Sequence, residues 1–296
     1  MMPEAPRRRQ ATLEDSPDNS ILIKIRDFIY QQSGLYFSEK NLDSLQKKLI
    51  CRLESLNLNS INEYYHYLLD DSSRTSELKP LFDSLINSQT SFFRYASQLK
   101  ALQEQILPAL MRSKIQNEEQ VLKILSCGCS TGEEPYTLAI LMLETLGQII
   151  DRWKVEITGI DISHAALDAA GQGIYNHYSL RNTPETIMNR YFDPLGPDSY
   201  RLRDRVREMV HFAYLNLNDE VHMRTLSPVD VIFCRNVLIY FSEDSKRAVI
   251  NQFYNIINPG GYLFVGPSES LFGLSRSFKL LLFPGALVYK KERDPP

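Results

Sequence analysis

From Ile21 onward, apolar residues recur at helical spacing: Ile21, Ile25, Phe28 and Ile29 form one stripe, and Leu42, Leu45, Leu49 and Leu53 form another. Ser38, three residues after Leu35, is placed to cap the second helix. Tyr64, Tyr65, Tyr67, Leu68 and Leu69, then Leu81, Leu85 and Ile86, carry the pattern to about residue 90. Residues 20–88 therefore read as a small helical domain, preceded by a disordered tail at 1–19 in which Pro3, Pro6, Arg7, Arg8, Arg9 and Pro17 leave little to bury.

After a further helix through Leu99, Leu102, Ile106 and Leu110, short apolar runs begin to alternate with helical stretches. Val121 to Leu125 reads as a strand, followed by Gly128, Gly132 and a helix from about Glu133 to Leu146. Val155 to Ile160 leads through Asp161 into a helix from Ala165 to Ala170. Val229 to Phe233 leads into one through Ala248, Ile250, Phe253 and Ile257, after which Pro259, Gly260 and Gly261 turn the chain into the strand Tyr262 to Val265. Ala286 to Tyr289 makes a last strand. Alternation of this kind predicts an α/β fold, a doubly wound, mostly parallel sheet spanning residues 89–296. The turn at Leu195 to Asp198, among alternating apolar and charged residues, predicts an antiparallel β-subdomain inserted at about 180–212.

Composition narrows the choice. Of 296 residues, 43% are hydrophobic and 23% charged, which suits globular domains and excludes wholesale disorder. The formal charge of −3 gives no general attraction for nucleic acid, which is not expected as a partner. No apolar run approaches the ~20 residues of a membrane span, and the four scattered cysteines fit a reducing compartment, so a cytoplasmic protein without membrane insertion is expected. None of the five histidines is paired with cysteine or carboxylate at ligand spacing, so no metal is expected.

The first strand-to-helix junction, Cys127-Gly128-Cys129-Ser130-Thr131-Gly132-Glu133-Glu134, lets a ligand approach the backbone at Gly128, where a doubly wound sheet places its crevice. It is neither a triphosphate loop nor a G-x-G-x-x-G dinucleotide turn. Glu133 and Glu134 would repel a pyrophosphate, so the ligand should be cationic and phosphate-free, as S-adenosylmethionine is; the alternative is that they only stabilise the helix start. Asp161, closing the second strand, is either a ribose ligand or a helix cap. Arg94 offers a rigid fork to a carboxylate, while Phe92 and Phe93 beside it suit packing between domains. Arg235 and Asn236 end the third strand at the same rim, with Tyr240 close behind and Asn216 a candidate for adenine recognition.

Taken together and in order, Thr90-x-Phe92-Phe93-Arg94, Cys129 to Tyr136, Asp161, Asn216-Leu217, Cys234 to Phe241 and Gly266 to Leu271 resemble the CheR family of chemotaxis protein-glutamate methyltransferases. The resemblance implies a helical domain ahead of a Rossmann-like S-adenosylmethionine domain with a three-stranded subdomain. It also implies a donor site from Thr90, Arg94, Glu134, Asp161, Asn216, Leu217, Arg235 and Asn236, with Ser88 where the family commonly has asparagine. Tyr240 and Arg94 would face the methyl group and the substrate glutamate, and S-adenosylhomocysteine would be the product. The second helix, arginine-rich in relatives, offers Lys47, Lys48 and Arg52 to the cytoplasmic helical domain of a chemoreceptor. The turn at Asp193 to Ser199 is short, so tethering to a receptor's C-terminal peptide is not expected. A monomer is expected. The competing readings are a methyltransferase for another substrate and a non-catalytic donor-binding adaptor.

Overall fold

The computed structural model describes residues 19–86 and 89–292. The expected tail lies outside these residues except for Asn19, which opens the first helix, and Ser88 lies outside them as well.

Four helices form the first domain: α1 (Asn19–Ser33), α2 (Leu42–Leu56), α3 (Ile61–Leu69) and α4 (Asp71–Leu85). Their leucine stripes meet in one core of Ile25, Ile29, Leu45, Leu49, Leu68 and Leu81, all at 0% exposure. Local chemistry sets the boundaries. Asn57 closes α2 in the left-handed region, Ser60 caps α3 by accepting from Glu63 N, and Asp70 caps α4 by accepting from Ser73 N. Ser38 departs from expectation: it precedes a 3₁₀ turn at Glu39–Asn41 and makes no capping bond through its side chain.

The helical stretch after Arg94 is α5 (Ala96–Ala101) and α6 (Leu107–Gln116), joined through a π-helical segment at Leu102–Ile106 that keeps Leu102 and Ile106 buried. The second domain then proceeds through β1 (Val121–Cys127), α7 (Glu133–Leu146), β2 (Lys154–Asp161) and α8 (His164–Gln172). The insertion follows with β3 (Ile174–Tyr175), α9 (His177–Leu180), α10 (Glu185–Tyr191), β4 (Phe192–Gly196), β5 (Ser199–Leu202) and α11 (Asp204–Arg207). The chain ends its described part with β6 (Val210–Tyr214), α12 (Glu220–Met223), β7 (Val229–Cys234), α13 (Glu243–Ile256), β8 (Ile257–Val265), β9 (Phe278–Phe283) and β10 (Ala286–Lys291).

Seven strands form one sheet in the order β6-β2-β1-β7-β8-β10-β9, with β6 to β8 parallel and the last two antiparallel. Every residue of β7 is buried, because helices cover both faces. Val231 and Phe233 enter one core and Ile232 and Cys234 the other. From β1 the chain winds outward to β2 and β6, then returns to β7 on the other side. The carboxyl ends of β1 and β7 thus flank a topological switch point, where crevices form.

Three expectations change. The small antiparallel sheet, ordered β3-β5-β4, begins at Ile174 and not at 180. Residues 210–214 leave it to become the edge of the main sheet, because Val210 pairs in parallel with Ile157. Residues 259–261 do not turn the chain but bulge from a continuous β8: Val229 pairs with Ile257, and Val231 already with Tyr262.

The two domains are bonded together around the crevice. Tyr36 N donates to Tyr240 O at 2.8 Å, and Asn216 Nδ2 to Gln32 O at 2.9 Å. Tyr30 and Ser242 share a hydroxyl bond of 2.8 Å. Asp83 of α4 accepts from Ser163 Oγ (2.6 Å) and Ala165 N (3.2 Å), capping α8 across the domain boundary.

Candidate active site

A cavity of about 210 Å³ lies at the switch point, floored by the loops after β1, β2, β6 and β7 and walled by Ser33, Leu35 and Ile86 of the helical domain. Thr90, Arg94, Gly128, Glu134, Asp161, Asn216, Leu217, Arg235, Asn236 and Tyr240 all line it. Residues spread over about 150 positions of sequence converge here, those from Gly128 onward because they follow strands at the same edge of the sheet and Thr90 and Arg94 from the segment that joins the two domains.

The loop after β1 needs its glycine. Gly128 has φ +65°, and a Cβ there would sit 2.4 Å from Val237 Cγ2 in the loop after β7. Among the described residues six non-glycines adopt positive φ, and four of them, Phe93, Tyr95, Ser130 and Asn236, lie in segments around this cavity. Such backbone is held only where surrounding bonds over-determine it.

Glu133 and Glu134 have different tasks. Glu133 is buried away from the cavity, accepting from Thr131 Oγ1 (2.6 Å) and Ser179 Oγ (2.9 Å), and burial pushes its carboxyl up. Here the simpler reading, a helix-start carboxylate, holds. Glu134 faces the cavity, accepting from Ser126 Oγ (2.7 Å) and Arg235 Nε (2.6 Å).

Asp161 is 4% exposed and bridges two loops, with Oδ2 accepting from Ser130 N and Oδ1 from Ser163 N, each at 2.8 Å. The cap of α8 is Ser163, so Asp161 is not that helix's cap. Burial raises its pKa, against the pull of the neighbouring backbone amides. A carboxylate has about four acceptor positions, so Asp161 and Glu134 both retain capacity for ligand donors.

Arg235 does not reach into open space. Its side chain is 3% exposed, holding Glu134, donating to Arg94 O at 2.8 Å and lying 5.3 Å from the Tyr95 ring. It braces the wall. Arg94 is freer: its guanidinium bonds Gln89 O at 3.2 Å and stacks 4.9 Å from Tyr95, and among the described residues no carboxylate pairs with it. Tyr240 is half-buried; burial raises its hydroxyl above the usual phenol value, with the charge of Arg94 pulling the other way. It is a neutral phenol near neutral pH.

Asn216 also departs from expectation. Its Nδ2 donates to Gln32 O and its Oδ1 accepts from Asn218 N, each at 2.9 Å, so the amide expected to read adenine also fastens the two domains. Two of the three basic residues expected to meet a receptor are likewise turned inward. Lys48 Nζ donates to Ser84 O (3.2 Å) and Leu85 O (2.6 Å) at the end of α4. Arg52 grips buried Glu77 in a bidentate pair, at 2.8 and 2.7 Å. Lys47 remains exposed.

Several contributors escaped the sequence reading. Tyr95 OH donates to Asn236 Oδ1 at 2.9 Å, and Glu269 binds the loop after β7 through backbone amides. Glu269 sits in the Gly266 to Leu271 motif, a signal that marks the segment but not its task. Asp83, Ser33 and Leu35 carry no local signal; only tertiary placement brings them here. Phe92 is buried at 0% exposure but packs within the second domain and not between domains, with edge-to-face contacts 4.8 Å from Tyr175 and 5.1 Å from Phe192 of the small sheet. Among the described residues, no group of three or more histidine, cysteine or acidic side chains is placed to hold a metal.

The donor set decides the ligand class. Asp161, Glu134 paired with Arg235, and the guanidinium of Arg94 around a glycine turn suit an adenosine compound bearing an ammonium, a carboxylate and a sulfonium. The same carboxylates would oppose a pyrophosphate. The lining fits S-adenosylmethionine, which Asp161 and Glu134 would hold. Fold and site thus define an S-adenosylmethionine-dependent methyltransferase.

Comparison with known proteins narrows the class. Residues 88–284 match the family model "CheR methyltransferase, SAM binding domain", and residues 22–86 match "CheR methyltransferase, all-alpha domain". Chemotaxis protein methyltransferase 2 of Vibrio cholerae is 36% identical over 268 residues, covering 90% of this chain and 91% of its own. The chemotaxis protein methyltransferase of Borreliella burgdorferi is 34% identical, over 92% of this chain and 93% of its own. That of Escherichia coli is 32% identical, over 92% and 90%. The chain belongs to the CheR methyltransferase family.

Proposed function

We propose that this enzyme methylates glutamate side chains on a helical segment of chemoreceptors, converting carboxylates to methyl esters. The observation that carries the reading is the pairing of Arg94, unpaired with any described carboxylate, with the neutral phenol of Tyr240 in one cavity beside Glu134 and Asp161. Relatives named chemotaxis protein methyltransferase supply the receptor class.

Bound S-adenosylmethionine supplies an activated methyl group. The chain's own task is orientation. A glutamate with a pKa of about 4.3 is already ionised at neutral pH, so no general base is required. In keeping with this, no histidine is among the described residues that line the cavity. Arg94 and the Tyr240 hydroxyl hold the acceptor carboxylate in line, and alignment of this kind supplies ~7 to 11 kcal/mol of barrier reduction. The helical domain walls one side of the cavity with Ser33, Leu35 and Ile86, and exclusion of water by the bound receptor segment would favour a step in which opposite charges are neutralised. Lys47 on α2 is the basic residue left exposed for an acidic receptor surface.

The test is chemical. Receptor cytoplasmic fragment incubated with methyl-labelled donor and the enzyme should gain label that mild base releases as methanol. Label that survives base would indicate N-methylation and a different substrate; tight donor binding without transfer would indicate an adaptor.

A further inference from the structure

Glu269 lies just beyond β8, in a turn closed by a bond from Glu269 N to Gly266 O at 2.9 Å. It is 8% exposed, and among the described residues no lysine or arginine pairs with it. Its oxygens are taken instead by three backbone amides. Oε2 accepts from Gly266 N (2.6 Å) and Asn236 N (2.7 Å), and Oε1 accepts from Ile239 N (3.2 Å). Asn236 and Ile239 bracket the loop after β7, whose last residues, Leu238–Tyr240, form a 3₁₀ turn.

The close approach is designed into the backbone. A Cβ on residue 266 would lie 2.7 Å from Glu269 Oε2 and 3.0 Å from Asn236 N, so glycine is required there. Asn236 itself is held at φ +61°, a conformation that needs external support. Its side chain then meets Tyr95 OH, while Tyr240 follows directly after Ile239. One end of the loop therefore faces the donor, and the other carries the phenol assigned to the acceptor.

We propose that Glu269 is a positioning residue for methyl transfer, with one oxygen fixing the donor end of this loop and the other fixing the acceptor end. The proposal rests on the reading of Tyr240 given above. The chemistry of the two oxygens separates the ends. A carboxylate accepts at both oxygens, whereas an amide accepts at one and donates at the other. In Glu269→Gln, the amide oxygen can keep Asn236 N and Gly266 N, leaving its NH₂ opposed to the N–H of Ile239. The acceptor end alone should be loosened. Glu269→Ala would release both.

The experiment compares wild type, Glu269→Gln and Glu269→Ala by residue-resolved amide exchange, calorimetry with S-adenosylhomocysteine, and steady-state methyl transfer to a receptor fragment. A hydrogen bond to a charged acceptor corresponds to about tenfold or more. In Glu269→Gln, exchange at Ile239 should rise about tenfold, with Asn236 near wild type. Product affinity should stay within about twofold and kcat should fall about tenfold or more. In Glu269→Ala, exchange should rise at both amides and product affinity should fall too; should that variant not fold, Glu269→Gln decides alone. An unchanged Ile239 amide or an unchanged kcat in Glu269→Gln overturns the proposal, as does a parallel loss of affinity, kcat and unfolding midpoint, which a merely structural role produces. A wild type that transfers no methyl to receptor refutes the functional reading instead, while the exchange and affinity arms still judge the loop.

Discussion

Replacing Arg52 by alanine separates a structural arginine from a recognition arginine. Glu77 is 1% exposed and accepts from Arg52 Nε and an Arg52 terminal nitrogen at 2.8 and 2.7 Å and from Tyr64 OH at 2.7 Å. Without Arg52 the carboxylate either stays charged in the core or takes a proton. A glutamate in water has a pKa of about 4.3, so protonating one at pH 7 costs about 3.7 kcal/mol, at 1.36 kcal/mol per pH unit. That matches the ~3 to 5 kcal/mol for breaking a buried pair by removing one partner. At pH 5 the same protonation costs only about 1 kcal/mol. A carboxyl that must be neutral to stay buried without a partner favours the folded state most at low pH, and that stability is lost as pH rises. Opening free energies from amide exchange in α2 and α4 should therefore fall by about 3 to 4 kcal/mol at pH 7 and by about 1 at pH 5. A loss below about 1 kcal/mol at pH 7 with no pH dependence, coupled with weaker receptor capture, would refute this argument and return Arg52 to the receptor surface.

Other consequences are equally direct. Asp161→Ala removes the carboxylate proposed to accept from the ribose hydroxyls and its bond from Ser130 N, so calorimetry should show S-adenosylhomocysteine binding about tenfold or more weaker; equal affinity removes the assignment. Tyr240→Phe should lower kcat about tenfold while donor affinity holds, and an unaltered rate would leave Tyr240 as packing. Because burial raises the Tyr240 hydroxyl, wild-type kcat should show no falling limb from phenol ionisation between about pH 7 and 10. Gly128→Ala drives a Cβ to 2.4 Å from Val237 Cγ2 at a positive φ, so thermal unfolding should register a loss of ~1 to 3 kcal/mol, partly recovered by Val237→Ala.

Legibility in the sequence followed the range of the interactions. The leucine stripes of α1 and α2 and the buried run of β7 were readable because burial on one or two faces leaves a period in the chain. β9 was missed because its run Phe278–Phe283, paired with β10 at the sheet edge, alternates too weakly to announce a strand. The rim residues were readable because a doubly wound sheet gathers whatever follows each strand. What Asn216, Arg235 and Arg52 bond to was not readable: Gln32, Glu134 and Glu77 lie far away in sequence or on another helix, and a polar side chain's partner is set by packing. Asp83 capping α8 from the other domain is the same case in reverse, a structural role with no local motif.

The central claim is that a glycine turn flanked by Glu134 and Asp161 selects a cationic, phosphate-free adenosine compound. Calorimetric titration of the purified chain with S-adenosylmethionine, and separately with a pyrophosphate-bearing dinucleotide such as NAD, tests it most directly. One saturable site for S-adenosylmethionine, weakened by Glu134→Gln, and no heat from the dinucleotide are the expected results. Saturable dinucleotide binding that S-adenosylmethionine cannot displace, or that Glu134→Gln leaves untouched, would contradict the claim.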